Sequence, residues 1–375
     1  MSNILVVGPA WVGDMVMAQS LFKVLKRAPS DAQVNNQANN QANAQVNAQA
    51  NNQSNAQSNA QAENEISVLA PPWSVSILAH MPEVARTIHM PVGHGTLGLG
   101  ARYKLGRQLR RSNFDHAIVM PNSFKSALVP WFAKIPLRTG YLGEQRWGLL
   151  NDIRILDRRA MPLNVQRFVA LGLPKSSAVN AVGPLQSTAL PKPMLAVNRA
   201  LVGETAARFK LQTDAPVLAL CPGAEYGPAK QWPVAHFAEV ANAQLAQGWR
   251  VWLFGSDNDR QITARINQLC QRRCADLAGR TSLGEAIDLL SLAKYAVTND
   301  SGLLHIAAAV GCHVIAIYGS SSDAFTPPLT EHCNRLTLRL ECSPCFQRTC
   351  PLGHLNCLNQ LMPKKVLDII KKNEQ

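Results

Sequence analysis

Short apolar runs alternate with amphipathic stretches along most of this chain. Ile4–Val7, Ile66–Ala70, Thr87–Met90 and His116–Met120 occupy the first half. Val217–Cys221, Arg250–Phe254, Tyr295–Thr298 and Val314–Tyr318 occupy the second. Most lack a polar face, which predicts parallel strands buried on both sides. Apolar positions at helical spacing predict helices over Met15–Lys26, Tyr103–Arg111, Ser123–Phe132, Val234–Gln247, Asp259–Gln271, Leu283–Leu292 and Leu303–Val310. Strand and helix in alternation predict an α/β protein with two doubly wound parallel sheets. The Pro- and Ser-rich stretch Pro174–Pro193 interrupts the pattern. It divides the chain into a domain over 1–180, a domain over 190–355 and a closing helix over 360–375. Two such domains facing each other place ligands in a central cleft, at the carboxyl ends of the strands.

One segment follows neither period. Val34–Ala62 contains only Asn, Gln, Ala, Ser and Val. It has no apolar face to bury and no charge, so residues 34–62 are expected to be a disordered insert, a lengthened loop tolerated at small entropic cost.

Composition narrows the partner. Apolar residues make up 47% of the chain, enough for ordinary cores, and the formal net charge is +13. That charge calls for an anionic partner: a phosphorylated substrate, an anionic lipid surface or nucleic acid. No zinc-finger or aromatic RNA-binding signature accompanies it, so nucleic acid is not expected. Met1–Gly8 lacks the basic and long apolar regions of a signal peptide and reads as a first buried strand. No apolar run of about 18 residues suggests a membrane span. A cytosolic protein able to rest on a membrane surface is expected. Its nine cysteines then read as thiols or metal ligands.

Candidate chemistry sits where strands give way to helices. Gly8–Asp14 follows the first strand, with Gly13 allowing a tight turn and Asp14 at the helix start. That carboxylate is either a helix cap or a general base at the lip of the cleft. Cys221–Pro233 holds Ala224, Glu225, Tyr226, Gly227 and Lys230. Its N–H groups and ammonium suit a diphosphate, a better reason for a lysine at a helix start than solvation alone. Thr298–His305 places Asp300, Ser301, Gly302 and His305 around another helix N-terminus, itself a ready anion site. His305 is either structural or part of that site. Pro121–Ser126, with Asn122, Ser123 and Lys125, ends a strand at the same cleft. The basic run Arg102, Lys104, Arg107, Arg110 and Arg111 is either a solvated face or a holder of lipid-borne phosphates. Cys342-x2-Cys345-x4-Cys350-x6-Cys357 is either a closed structural zinc site or a packed group of reduced thiols. A Gly-x-Gly-x-x-Gly fingerprint does not follow the first strand, which disfavours a dehydrogenase or epimerase.

These segments, with Met81–Val84, Arg138–Tyr141, Gly148–Asp152 and Tyr318–Ser322, closely resemble the ADP-heptose:lipopolysaccharide heptosyltransferases over almost the whole chain outside the insert. The resemblance implies a GT-B glycosyltransferase of two facing Rossmann-like domains. The first would take the acceptor and the second ADP-L-glycero-β-D-manno-heptose. The reaction would invert the anomeric centre and add the second heptose to heptosyl-Kdo2-lipid A, at the cytoplasmic face of the inner membrane. Asp14 matches the family's base and Lys230 its diphosphate lysine. Ala224, Glu225, Tyr226, Gly227, Asp300, Ser301, Gly302 and His305 fall to the donor, and Trp11, Gly13, Asn122, Ser123, Lys125 and Arg107 to the acceptor. Ser301 stands where some members have threonine. Glu225 and Tyr226 stand where some members have donor-binding threonines, so those side-chain contacts do not carry over, while backbone donation stays open. The transfer itself requires no cofactor, while stimulation by Mg²⁺ stays open. The alternatives are a member acting on the preceding or following acceptor, and a nucleotide-sugar or lipopolysaccharide-binding module without turnover.

Overall fold

The computed structural model describes residues 2–26, 63–93, 95–176, 178–183 and 190–375. The insert expected over 34–62 lies outside them. The first sheet contains β1 Asn3–Val7, β2 Glu65–Ala70, β3 Arg86–His89, β4 His116–Val119, β5 Leu137–Tyr141 and β6 Asp152–Arg154, in the order β3-β2-β1-β4-β5-β6. The second contains β7 Val217–Cys221, β8 Arg250–Leu253, β9 Ala275–Asp276, β10 Tyr295–Asn299, β11 His313–Ile317 and β12 Cys333–Leu336, in the order β9-β8-β7-β10-β11-β12. The named neighbours pair in parallel. Each sheet thus has the strand order of a dinucleotide-binding fold.

The α-helices among the described residues are α1 Val12–Lys26, α2 Val75–Ala79, α3 Leu99–Leu109, α4 Leu128–Phe132, α5 Asn164–Ala170, α6 Ala178–Val182, α7 Arg199–Arg208, α8 Val234–Ala246, α9 Arg260–Leu269, α10 Leu283–Leu290, α11 Gly302–Ala309, α12 Asn356–Asn359 and α13 Lys364–Glu374. The fold expected from alternation is the one observed, with local differences. The helix expected over Ser123–Phe132 splits into a 3-10 turn, Phe124–Ala127, and α4. Pro130 has no N–H to return to the Ser126 carbonyl, so a helix begun at Ser123 cannot close there. The basic run is not one solvated face either. Arg102 is buried, its guanidinium reaching the Leu97 and Thr96 carbonyls, and Arg110 Nε donates to the Phe132 carbonyl at 2.9 Å.

The central strands explain where the site lies. All five residues of β7 and of β10 are buried, as are the last four of β1. Their carboxyl ends are level with their neighbours, Val7 beside Val119 and Thr298 beside Cys221. At these two positions the strand order reverses, and the loops after β1, β4, β7 and β10 leave toward one cleft.

The domains meet through α1 and α11, and one buried apolar cluster runs through the seam from Met15 and Leu21 to Leu304 and Ile306. The N-termini of these helices come together closely. A Cβ on Gly13 would lie 2.7 Å from His305 Cδ2, and one on Gly302 would lie 2.6 Å from Val12 Cβ. The connecting segment is stitched to both sides. Ser20 Oγ donates to the Pro191 carbonyl and Lys23 Nζ to the Lys192 carbonyl; the Leu195 N–H donates to the Ala309 carbonyl.

Candidate active site

Asp14 is the third residue of α1. The helix N-terminus favours a carboxylate there, but the seam strips water from it, and the second effect wins. Burial pushes its pKa up to about 6 from an ordinary 3.8. A hydrogen bond from Asn164 Nδ2, 3.0 Å from Oδ1, opposes that rise. Across the seam the charge of Asp300 raises the pKa further and that of Lys230 lowers it. A carboxylate poised near 6 is ionised at neutral pH yet more basic than an ordinary aspartate, which suits proton abstraction.

The opposite wall is built by the loops after β7 and β10. Lys230 closes a 3-10 turn, Pro228–Lys230, and its Nζ lies 2.5 Å from Asp300 Oδ2. Both side chains are largely buried, 18% and 7% exposed. The Lys230 ammonium also lies 5.1 Å from the Tyr226 ring centroid. Asn299 holds the two loops together: its Nδ2 donates to the Pro222 carbonyl at 2.7 Å and its Oδ1 accepts from the Trp232 N–H at 3.0 Å. Ser301 is the N-cap residue of α11, but its hydroxyl does not cap the helix. His305 is buried against Gly13, and burial pushes its pKa down to about 4, so the ring is neutral. In the turn between β7 and Lys230, Ala224 is buried, Glu225 is exposed, and the Gly227 N–H is engaged by the Ala224 carbonyl at 3.2 Å.

Asp14, Gly13, Lys230, Asp300, Gly302 and His305 thus converge at the seam. Trp11 is half exposed on the loop after β1, and Asn122, Ser123 and Lys125 follow β4, the strand beside β1. Buried Arg146 secures that second loop, its Nη1 donating to the Pro121 carbonyl at 2.7 Å. No contact among the described residues brings Arg107 to this group. It lies in the last turn of α3, with its guanidinium 5.9 Å from the Tyr103 ring centroid.

Of the two readings of the cysteine cluster, the zinc site is not supported: no group of three or more His, Cys, Asp or Glu among the described residues is disposed to hold a metal ion. Cys342, Cys345, Cys350 and Cys357 do line one recess, with His354, Ser320 and Ala229. Burial raises the Cys357 pKa, and the charges of Cys342, Cys345 and Cys350 add to that rise. Cys350 Sγ accepts backbone N–H bonds, chiefly from Leu355, which hold its thiol pKa down, and His354 Nδ1 accepts from the Asn356 N–H at 3.0 Å. The cysteine loop braces the Lys230 turn. Tyr226 Oη donates to the Phe346 carbonyl at 2.8 Å, the Ala229 N–H donates to the Arg348 carbonyl at 3.1 Å, and the Arg348 guanidinium lies 5.3 Å from the Tyr226 ring centroid. A Cβ on Gly227, at φ 153°, would lie 2.5 Å from the Arg348 carbonyl oxygen.

Sequence reasoning missed Asn164, Asn299 and this bracing loop. Asn299 carried a signal, being a polar residue at the end of an otherwise apolar strand. Asn164 carried none.

Comparison with known proteins gives a consistent assignment. Residues 102–356 match the model of glycosyltransferase family 9 (heptosyltransferase). The chain is 41% identical over 370 residues to lipopolysaccharide heptosyltransferase 2 of Escherichia coli K12, covering 98% of this chain and 97% of that one. It is 41% identical over 337 residues to lipooligosaccharide heptosyltransferase 2 of Haemophilus influenzae, covering 88% and 86%. The solved structure of E. coli ADP-heptose lps heptosyltransferase II superposes with a TM-score of 0.81 at 39% identity, covering 99% of this chain and 98% of that one. With its two facing Rossmann-like sheets of the GT-B type, the chain is a glycosyltransferase and belongs to family 9, the heptosyltransferases.

Proposed function

We propose that this enzyme moves L-glycero-D-manno-heptose from ADP-heptose to heptosyl-Kdo2-lipid A, adding the second heptose of the lipopolysaccharide inner core with inversion. The observation that carries the reading is the ionisable Asp14 at one helix N-terminus, facing the Lys230–Asp300 pair at another. Asp14 takes the proton from an acceptor hydroxyl as its oxygen forms a bond to the anomeric carbon. The bond from that carbon to the diphosphate breaks, and ADP leaves with the electron pair. The N–H groups at the start of α11 and the Lys230 ammonium receive the developing charge. Lys230 first neutralises Asp300, whose charge would otherwise repel the diphosphate. One carboxylate acting on the face opposite the leaving group gives inversion.

In this proposal residues 1–180 take the acceptor and residues 190–355 the donor. Trp11, Asn122, Ser123 and Lys125 lie on the acceptor side, and Ala224, Tyr226, Gly227, Ser301 and Gly302 on the donor side. The lipid acceptor puts the reaction at the cytoplasmic face of the inner membrane. The net charge of +13 favours that anionic surface, and no helix among the described residues is long and apolar enough to cross it. The test is transfer from ADP-heptose to purified Kdo2-lipid A and to heptosyl-Kdo2-lipid A, following ADP release. Turnover only with the heptosylated acceptor is expected. Turnover with bare Kdo2-lipid A would move the enzyme one step earlier, and none with either would leave a binding module.

A further inference from the structure

The hydrogen bond to the Asp14 carboxylate comes from far along the chain. Asn164, the first residue of α5, donates from Nδ2 to Asp14 Oδ1 at 3.0 Å. Its main-chain N–H donates at 3.0 Å to the carbonyl of Phe325, which follows β11 in the second domain. The Arg167 guanidinium, one turn further along α5, lies 4.7 Å from the Phe325 ring centroid and fastens the same junction. One residue therefore touches the base with its side chain and the opposite domain with its backbone.

We propose that Asn164 is a positioning residue for the transfer step, fixing the orientation of the Asp14 carboxylate and tying it to the seating of the second domain. The inference rests on Asp14 acting as the base. An amide N–H can only donate, so it holds Oδ1 and leaves Oδ2 to meet the acceptor hydroxyl. It also favours the ionised carboxylate without adding charge. An arginine or lysine in its place would stabilise the anion further and make it a poorer proton acceptor. The other groups bearing on Asp14 come from the second domain: Asp300, Lys230 and, packed against Gly13, the neutral His305. None of these is on α5, so removing the Asn164 amide leaves them in place.

The test uses Asn164→Leu in the full chain. Leucine keeps the branched shape, though it is bulkier, and the main-chain bond to Phe325, but deletes the donor. We would measure kcat and KM for both substrates from pH 5 to 9. The acid limb of kcat should move up by about one pH unit. The alkaline plateau should fall about tenfold, while KM for ADP-heptose stays within twofold. Asn164→Asp, matched in size, should move the limb further up, because a second carboxylate disfavours the ionised base. It also serves should the leucine variant fail to fold. A wild-type limb and plateau in a folded variant would overturn the inference, as would a lowered melting temperature with an unmoved limb. Asp14→Asn, assayed alongside, separates the two readings. If it turns over normally, the base assignment fails. If it is inactive while the Asn164 variants keep the wild-type profile, only the positioning role fails.

Discussion

Asp14→Asn should both silence the enzyme and stabilise its fold. The pKa rises from 3.8 to about 6 because the folded chain keeps the carboxylate away from water. At about 1.4 kcal/mol per pH unit, holding that group ionised costs the fold about 3 kcal/mol. Asparagine carries no charge, and its oxygen can still accept from Asn164. Its own amide needs hydration that the seam restricts, so the net gain should be about 1–3 kcal/mol. In a chain of this size that raises the melting temperature by about 1–4 °C.

The sign depends on pH. Below the unfolded value of 3.8 the aspartate is protonated in both states, and it carries no penalty. Between 3.8 and about 6 the unfolded chain has released its proton while the folded chain retains it, so wild-type stability falls as pH rises. Above about 6 the penalty is complete. The assay is thermal unfolding of wild type and Asp14→Asn at pH 7.5 and pH 4.5. The cost of the aspartate itself falls from about 3 kcal/mol at the higher pH to about 1 kcal/mol at the lower, so the gap should shrink by about 2 kcal/mol. Turnover at pH 7.5 should fall by about 10² to 10⁴ with ADP binding nearly intact. Equal or lower stability of the variant at pH 7.5, or a gap of the same size at both values, would refute the reasoning, because Asp14 would then not be a carboxylate held ionised against its desolvation.

Two further predictions concern the same seam. Lys230→Ala leaves the Asp300 carboxylate, 7% exposed, without its cation. Donor KM should rise at least about tenfold, stability should drop by about 3 kcal/mol, and the acid limb of activity should move up because Lys230 lowers the Asp14 pKa; steady-state kinetics against pH, with thermal melts, checks all three. Gly13→Ala directs a methyl into the His305 ring, 2.7 Å from Cδ2, and should cost about 1–3 kcal/mol. Adding His305→Ala should recover part of that loss, and a double-mutant cycle should show a coupling of about 1 kcal/mol or more.

Legibility in the sequence follows burial. β1, β7 and β10 are central strands buried on both faces, so their apolar runs announced them. β9 has two residues, β6 is Asp-Ile-Arg, and β12 is Cys-Asn-Arg-Leu, half open at a sheet edge. Strands so short and polar carry no period to read. α7 was missed because its two buried residues, Val202 and Ala206, are a weak apolar stripe among charges. Asp14, Lys230 and Asp300 were legible because small-residue motifs follow the central strands, where the fold gathers ligands. Asn164 was not, since its meaning comes from a contact 150 residues away in the chain. The thiol spacing left two readings open, and the four cysteines do share one recess. The spacing reads like a metal-ligand pattern, but the residues it spaces serve a loop whose backbone and Tyr226 contacts brace the Lys230 turn.

The seam also accounts for a pairing of opposites. Each helix N-terminus attracts negative charge, yet α1 presents a carboxylate of its own while α11 opposite is, in the proposed reaction, where the diphosphate would sit. Were the two ends far apart, Asp14 would be an ordinary cap with an ordinary pKa, too weak a base for a sugar hydroxyl. Glycines at 13 and 302 let the helix ends approach until Val12 and His305 fill the space between them. That approach dries Asp14 and lets the fields of Lys230 and Asp300 reach it. The packing that brings the domains together therefore also sets the basicity of Asp14. A substitution that loosens the seam should lower the Asp14 pKa toward that of a solvated aspartate and weaken catalysis without touching a substrate.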